Sequence, residues 1–135
     1  MRLTPDQIHA IQSTVQTVLG TSVGLSFAAL VGSRAQGREH PGSDWDIAIR
    51  WNPALGGTDK LVATEELRQQ LRHALNVSED RVDLIDLADA RLAMRALVAE
   101  EGVPLYIRDD LAWIRFLQNT WAQIEDNQWR SQHAA

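Results

Sequence analysis

The apolar positions of this chain recur in patterns that predict three β-strands and are compatible with a fourth. A continuous apolar run over residues 27–31 indicates a buried strand, and residues 45–51 alternate with a period of two, as half-buried strands do. Residues 81–87 carry a third strand pattern. Residues 103–107 could form a short edge strand, where Pro104 is tolerated because an edge strand leaves one side unpaired.

Helical patterns separate these strands. Thr4 is expected to cap the first helix, with Pro5 in its first turn. The apolar stripe that follows consists of Ile8, Ile11, Val15, Val18 and Leu19. After a loop over 52–59, a second helix is expected to bury Leu61, Leu67, Leu71 and Leu75. A third helix is expected over 88–101, and Gly102 ends it.

The predicted fold class is α/β, in the form of an α+β mixed sheet. The elements are expected in the order α-β-α-β-α-β-α followed by a C-terminal tail, with Gly32 and Ser33 opening a short helix. The helices should pack on one face of a small sheet and leave carboxylates open on the other. We expect residues 1–135 to form a single domain, with a core over about 22–108 and a C-terminal helix over about 110–130.

Three of the five tryptophans, Trp113, Trp121 and Trp129, recur every eight residues in the tail, which is predicted to be helical. Two interpretations remain open. One packs the helix on the core of the chain, and it is favoured for Ile114, Leu117 and Trp121. The other assigns Phe116, Trp113 or Trp129 to a face that binds a partner, because aromatic residues are enriched at interface hot spots.

Composition narrows the function classes. The chain has no cysteine, which excludes disulfides, thiolate metal sites and cysteine nucleophiles. No stretch reaches the ~20 apolar residues of a membrane span, and the N-terminus lacks the apolar run of a signal peptide, so we expect a cytoplasmic protein without membrane contact. A net charge of −5 disfavours direct binding of nucleic acid, whose phosphates need Lys and Arg.

The turn after the first strand is a candidate phosphate site. Gly32 allows close approach of the backbone to a phosphate. Free N–H groups at a helix start, together with the Ser33 hydroxyl, can hold an anion. Ser33 could equally serve as a helix cap, and the two roles use the same geometry.

Two carboxylates follow on the second strand. Asp44 and Asp46 share one strand face with Ala48 and Arg50, because side chains alternate across a strand. Two hard oxygen ligands at this spacing can share Mg²⁺ and leave much of its coordination shell to water and substrate phosphate. The pattern therefore predicts a metal site that serves a nucleotide.

A third carboxylate would complete a two-metal clamp. Asp83 faces the same way as Asp44 and Asp46 if Val82 faces the core and its strand pairs beside theirs. Asp86 falls on the other face, so it is interpreted as a cap or near-cap of the next helix.

This motif set resembles the DNA polymerase β-like nucleotidyltransferase superfamily. Gly32-Ser33, ten residues, Asp44-Trp45-Asp46 and a later strand aspartate, Asp83, match its signature spacing. Within the superfamily the chain most resembles the minimal nucleotidyltransferases, in particular the MntA-type antitoxins of HEPN/MNT toxin–antitoxin systems. Departures are Gln36, where many relatives carry a basic residue, and Trp45, which replaces an aliphatic residue.

The resemblance implies a polymerase β-like fold and an activity. Such proteins neutralise a HEPN-type ribonuclease toxin, encoded beside them, by transferring AMP from ATP to a toxin tyrosine. It further implies that Asp44 and Asp46 bind two Mg²⁺ ions, and that Asp83 binds the catalytic ion and acts as general base. Gly32 and Ser33 would hold the β- and γ-phosphates. Candidates for neutralising triphosphate charge are Arg34 and Arg50.

Two alternatives to this activity stay open. The chain could be an antitoxin that neutralises its toxin by binding and occlusion through the C-terminal aromatic residues. A weaker third possibility is nucleotide transfer to an antibiotic or an RNA end, although such relatives usually carry a further substrate domain. Both AMP transfer to a toxin and occlusion of a toxin imply a hetero-oligomer with that toxin.

Overall fold

The computed structural model describes residues 5–40 and 42–134. Over these residues it contains four α-helices and four β-strands. In chain order they are α1 (Pro5–Thr21), β1 (Leu25–Val31), β2 (Trp45–Trp51), α2 (Gly57–Leu75), β3 (Val82–Asp86), α3 (Leu92–Glu101), β4 (Val103–Ile107) and α4 (Asp110–His133), and a 3-10 turn, Glu79–Arg81, precedes β3. The predicted cap Thr4 and the side chain of Ile8 lie outside the described part of the chain.

The four strands form one mixed sheet in the order β3-β2-β1-β4. β1 runs antiparallel to β2 and to β4, whereas β2 and β3 are parallel and are connected through α2. Pro104 lies on the edge strand β4, opposite Ala29. The mixed sheet and its helices confirm the predicted fold class.

The placement of the helices differs from the prediction, because they cover both faces of the sheet. On one face α1 and α2 enclose a core of Val15, Leu19, Leu25, Ile47, Ile49, Leu67 and Leu71, among others. On the other face α3 and α4 cover Phe27, Ala29, Val31, Ala48 and Leu87, and α3 adds Val98 to this second core. The reason is the composition of β1, which is apolar at six of its seven positions and buried along its whole length. A strand buried on both faces needs helices on both.

The segment after β1 forms turns instead of the predicted short helix. The N–H of Ala35 donates to the Gly32 carbonyl (3.1 Å), and the N–H of Arg38 donates to the Ser33 carbonyl (2.9 Å). Six consecutive residues from Gly32 therefore stay in turn or bend conformation. β1 and β2 are thus consecutive antiparallel strands joined by a long polar loop.

Two further expectations need correction. Leu67 and Leu71 of α2 are buried as expected, but Leu61 is 72% exposed because, at about 100° per residue, it lies off the helix face that carries Leu67 and Leu71. Asp86 does not cap α3, which begins only at Leu92. Its carboxylate instead accepts the N–H of Ala88 (2.9 Å) and pairs with the Lys60 ammonium (2.6 Å).

The aromatic residues of α4 divide differently from the favoured interpretation. Trp113 and Phe116 pack on Phe27, with ring centroids 5.0 and 5.6 Å from the Phe27 ring. Ile114 and Trp121, expected in the core, are 47% and 42% exposed, and Trp129 is 59% exposed. Leu117 is partly buried.

Among the described residues, no helix is long and apolar enough to cross a membrane.

The contrast between the packed Trp113 and the exposed Trp129 gives two matched predictions about stability. Replacing Trp113 by alanine should lower the free energy of unfolding by about 3 kcal/mol, because it removes the contacts with Phe27 and Phe116. The same change at the exposed Trp129 should stay within about 0.5 kcal/mol of the wild type. Urea denaturation of both variants measures the difference, and equal losses would show that the packing on Phe27 is not what stabilises α4.

Candidate active site

Two of the predicted carboxylates lie side by side at the start of neighbouring strands. Asp46 on β2 is the register partner of Asp83 on β3, and the strands are parallel. Asp46 lies on the same strand face as Ala48, two residues later, and Ala48 is in the core under α3 and α4. Asp83 likewise shares a face with Ile85, which packs against the same core. The two carboxylates therefore share one face. Asp44, exposed, lies directly before β2.

The carboxylates act on one another electrostatically. Burial raises the pKa of the Asp46 carboxyl, and the charges of Asp83 and then Asp44 raise it further. Among the described residues, no cation lies close enough to Asp46 to reverse this shift, whereas Asp44 lies within electrostatic reach of the Arg34 guanidinium. The Asp46 carboxylate is therefore destabilised when ionised, and a bound cation would relieve the repulsion.

The carboxylates do not form a preassembled ion cage. Within residues 5–40 and 42–134, no three carboxylate, histidine or cysteine side chains are grouped tightly enough to hold a metal ion as they stand. The arrangement is open, which fits an ion such as Mg²⁺ that keeps several waters and takes further ligands from a substrate phosphate. The chemistry of the donor set, three carboxylates that repel one another, is compatible with such an ion.

Gly32 joins the turn after β1 to this carboxylate face. It has a φ of +78°, a left-handed conformation that side chains disfavour. A Cβ at this position would overlap the Oδ2 atom of Asp46. The structure therefore brings the predicted glycine into direct contact with a predicted carboxylate, and a side chain at this position would have to displace that carboxylate. Ser33 follows as the next residue of the turn.

Arg34 is engaged in holding the loop between β1 and β2. Its Nη2 donates to the Ser43 carbonyl (2.8 Å), and its guanidinium lies 4.2 Å from the centre of the Trp45 ring. Burial lowers the pKa of this guanidinium, while Glu39 and Asp44 act in the opposite direction. Contact of Arg34 with a nucleotide phosphate stays a prediction. The pairing also explains Trp45, whose ring supplies a face for the cation.

Two residues that sequence reasoning did not single out fix the same loop. Arg81, at the entry to β3, donates to the Gly42 carbonyl. The hydroxyl of Ser43, which is almost fully buried, accepts the N–H of His40 (2.9 Å). Gln36 donates to Glu101 at the end of α3 (2.6 Å). The contacts of Arg81 with Gly42 and of Gln36 with Glu101 join residues far apart in the chain, so no local pattern signals them.

Arg50 is not brought to this site. It lies four residues beyond Asp46 on β2, which separates the two Cα atoms by about 13 Å along the strand. Arg50 lines a separate cavity beside α4. Of the two candidate cations named from the sequence, Arg34 lies within the turn after β1 and Arg50 lies away from it.

Comparison with known proteins agrees with this geometry. A family model described as polymerase beta, nucleotidyltransferase matches residues 13–111. A crystal structure of a toxin–antitoxin with AMP-PNP is 27% identical, with a TM-score of 0.69 over 90% of this chain and 92% of that chain. A mutant MntA–HpeT toxin–antitoxin structure is 25% identical, with a TM-score of 0.69 and coverage of 90% and 92%.

A third solved structure contains tri-AMPylated HEPN toxin of Shewanella oneidensis in complex with MNT antitoxin. Its chain is 23% identical, with a TM-score of 0.66 over 92% of both chains, and shows likeness of fold alone. No curated protein sequence gives a significant match. The region matched by the family model contains all four strands, the Gly32 turn and the three aspartates. The chain therefore belongs to the polymerase beta nucleotidyltransferase family.

Proposed function

We propose that this protein is a Mg²⁺-dependent nucleotidyltransferase that acts as an antitoxin. It would transfer AMP from ATP to the hydroxyl group of a tyrosine in a HEPN-type toxin. The observation that carries the proposal is the register pairing of Asp46 with Asp83 beside Gly32. It places two mutually repelling carboxylates next to a turn where backbone can approach a phosphate closely. Binding of a metal–nucleotide complex would relieve that repulsion.

The positions of these residues support the roles that we propose for them. Asp44, Asp46 and Asp83 would hold the ions, which supply charge neutralisation on the phosphoryl oxygens when bound. Gly32 leaves room for the Asp46 carboxylate against the turn, and Gly32 and Ser33 would receive the β- and γ-phosphates. Asp83 is exposed, so a hydroxyl of a partner protein can reach it.

The proposed transfer step needs no proton acceptor other than Asp83. The acceptor oxygen forms a bond to the α-phosphorus, and the bond from that phosphorus to the β-phosphate oxygen breaks. Pyrophosphate leaves, and the hydroxyl proton passes to the Asp83 carboxylate. The product is a phosphodiester between AMP and the acceptor side chain.

The known structures support the partner and the nucleotide. Two similar structures are described as a toxin–antitoxin with AMP-PNP and as an AMPylated HEPN toxin bound to MNT antitoxin. The first supports ATP as the substrate, and the second supports a HEPN toxin as the acceptor. We infer that this chain forms a hetero-oligomer with a toxin of that kind.

A labelling experiment tests the proposal. The protein is incubated with a HEPN toxin, Mg²⁺ and ATP that carries the label on either the α- or the γ-phosphate. We expect α-label on the toxin, none from γ-label, and loss of labelling in Asp83→Asn. The matched control is Asp86→Asn on the opposite face of the same strand, which should keep transfer. Labelling from the γ-phosphate would mean phosphoryl transfer and would contradict the proposal.

A second candidate function is neutralisation by occlusion. The observation that favours it is the exposed apolar surface of α4, formed by Leu111, Ile114, Trp121 and Trp129. In this case the toxin would be blocked by contact with α4, without chemistry. Replacing both Trp121 and Trp129 by alanine would then abolish neutralisation, whereas a variant without transfer activity would still neutralise.

A further inference from the structure

A cavity of about 460 Å³ opens between α4, the far end of β2 and the turn after β3. Its apolar wall includes Trp51, Leu87 and Phe116. The volume lies within the range of small-molecule sites in proteins. The cavity lies at the end of β2 that carries Arg50, about 13 Å along the strand from Asp46. It is therefore distinct from the carboxylate site.

The charged side chains in its lining are three arginines, Arg50, Arg95 and Arg115, and one aspartate, Asp109. In the described part of the chain none of these arginines forms an ion pair. Arg95 Nε donates to the Ala90 carbonyl (3.3 Å), which leaves its two terminal nitrogens free to bind. Asp109 is engaged as the cap of α4, where its carboxylate accepts the N–H of Ala112 (3.1 Å). In a protein of net charge −5, this is a concentrated positive region.

A buried hydroxyl lies in the same wall. Thr120 is 1% exposed, and its Oγ1 has no hydrogen-bond partner in the described structure. Buried hydroxyls are nearly always hydrogen-bonded, so an unpartnered one in the wall of a cavity has its hydrogen-bonding capacity available to a molecule bound there. A helical threonine could bond the carbonyl four residues earlier, as Thr14 and Thr17 do in α1, but Thr120 does not.

We propose that this cavity binds a phosphate-bearing small molecule, with the phosphate held by the three arginines and the Thr120 hydroxyl. Arginine binds phosphate oxygens through paired N–H groups, and several guanidiniums without carboxylate partners suit a dianion. The apolar wall suits an organic group attached to the phosphate, such as a nucleoside. The site does not depend on the carboxylates or on Mg²⁺.

Calorimetric titration of the full chain in the presence of EDTA tests this proposal, with AMP and inorganic phosphate as separate probes. We expect both to bind. Tighter binding of AMP would assign the apolar wall to the nucleoside, and equal binding would assign the site to the phosphate group alone. Arg115→Ala should weaken binding about tenfold or more, because it removes charge-assisted hydrogen bonds. The matched control Arg130→Ala, on the same helix outside the cavity, should leave binding unchanged.

Thr120→Val separates ligand binding from folding. It removes the hydroxyl and keeps the shape, so the thermal midpoint should not fall, whereas AMP binding should weaken severalfold. Asp46→Asn should bind AMP as the wild type does. Absence of binding by the wild type, or binding that requires Mg²⁺ or is lost in Asp46→Asn, would overturn the proposal, the latter because the ligand would then occupy the carboxylate site.

Discussion

Asp46→Asn should lose nucleotidyl transfer by at least about 100-fold and yet be more stable than the wild type at neutral pH. The loss of activity follows because metal ligands support several kcal/mol of transition-state charge stabilisation. The gain in stability follows because burial, then Asp83 and Asp44, raise the pKa of the Asp46 carboxyl in the folded protein. An ionised Asp46 therefore costs folding free energy, and a neutral asparagine does not.

The pH dependence has a definite sign. A carboxyl whose pKa is higher in the folded state than in the unfolded state binds more protons when folded, so stability falls as pH rises through the folded pKa. The advantage of Asp46→Asn should thus be present at pH 7 and vanish below the unfolded pKa of about 3.9, where both states are protonated. Urea denaturation at pH 7 and at about pH 3 measures it. The exposed Asp89→Asn serves as control and should change neither transfer nor stability by more than about 0.5 kcal/mol.

Gly32→Ala should be the most damaging single methyl addition in the loop. Both Gly32 and Gly37 have positive φ, at +78° and +70°. Alanine at either position costs about 1 kcal/mol or more of backbone strain. At Gly32 the new Cβ would also overlap Asp46 Oδ2, whereas at Gly37 it meets nothing within 4 Å.

The comparison of the two variants isolates the contact with the carboxylate. Gly37→Ala should lose only the strain energy and keep most of its transfer activity. Gly32→Ala should lose more stability than Gly37→Ala and should lower transfer at least about 100-fold, because it displaces Asp46. Equal behaviour of the two variants would show that the close approach of Gly32 to Asp46 is not required for activity.

The strands that carry the aspartates could be predicted because their information is local. Alternation along β2 fixes the face of Asp46, and a slip of one residue would have turned Asp83 to the opposite face. The predicted position of Asp83 required β3 to pair with β2, and this pairing could not be derived from the sequence. The continuous apolar run of β1 was compatible with burial on both faces, although the prediction placed helices on one.

The tail shows why other features could not be predicted. Eight residues advance a helix by two turns and about 80°. Trp113, Trp121 and Trp129 therefore point in successively rotated directions, and only Trp113 faces the sheet. The contacts of Arg34 with Trp45 and of Arg81 with Gly42 depend on tertiary structure, and so does the cavity of Arg50, Arg95 and Arg115.

The most direct test of the proposed activity is the intact mass of a HEPN toxin after incubation with this protein, ATP and Mg²⁺. The control replaces the wild type with the Asp44→Asn, Asp46→Asn double variant, and co-elution with the toxin verifies that both forms bind it. We expect the toxin to gain mass in steps of one AMP with the wild type and no mass with the double variant. Neutralisation of the toxin without any gain in mass, or an equal gain with the double variant, would contradict a transfer site formed by these carboxylates.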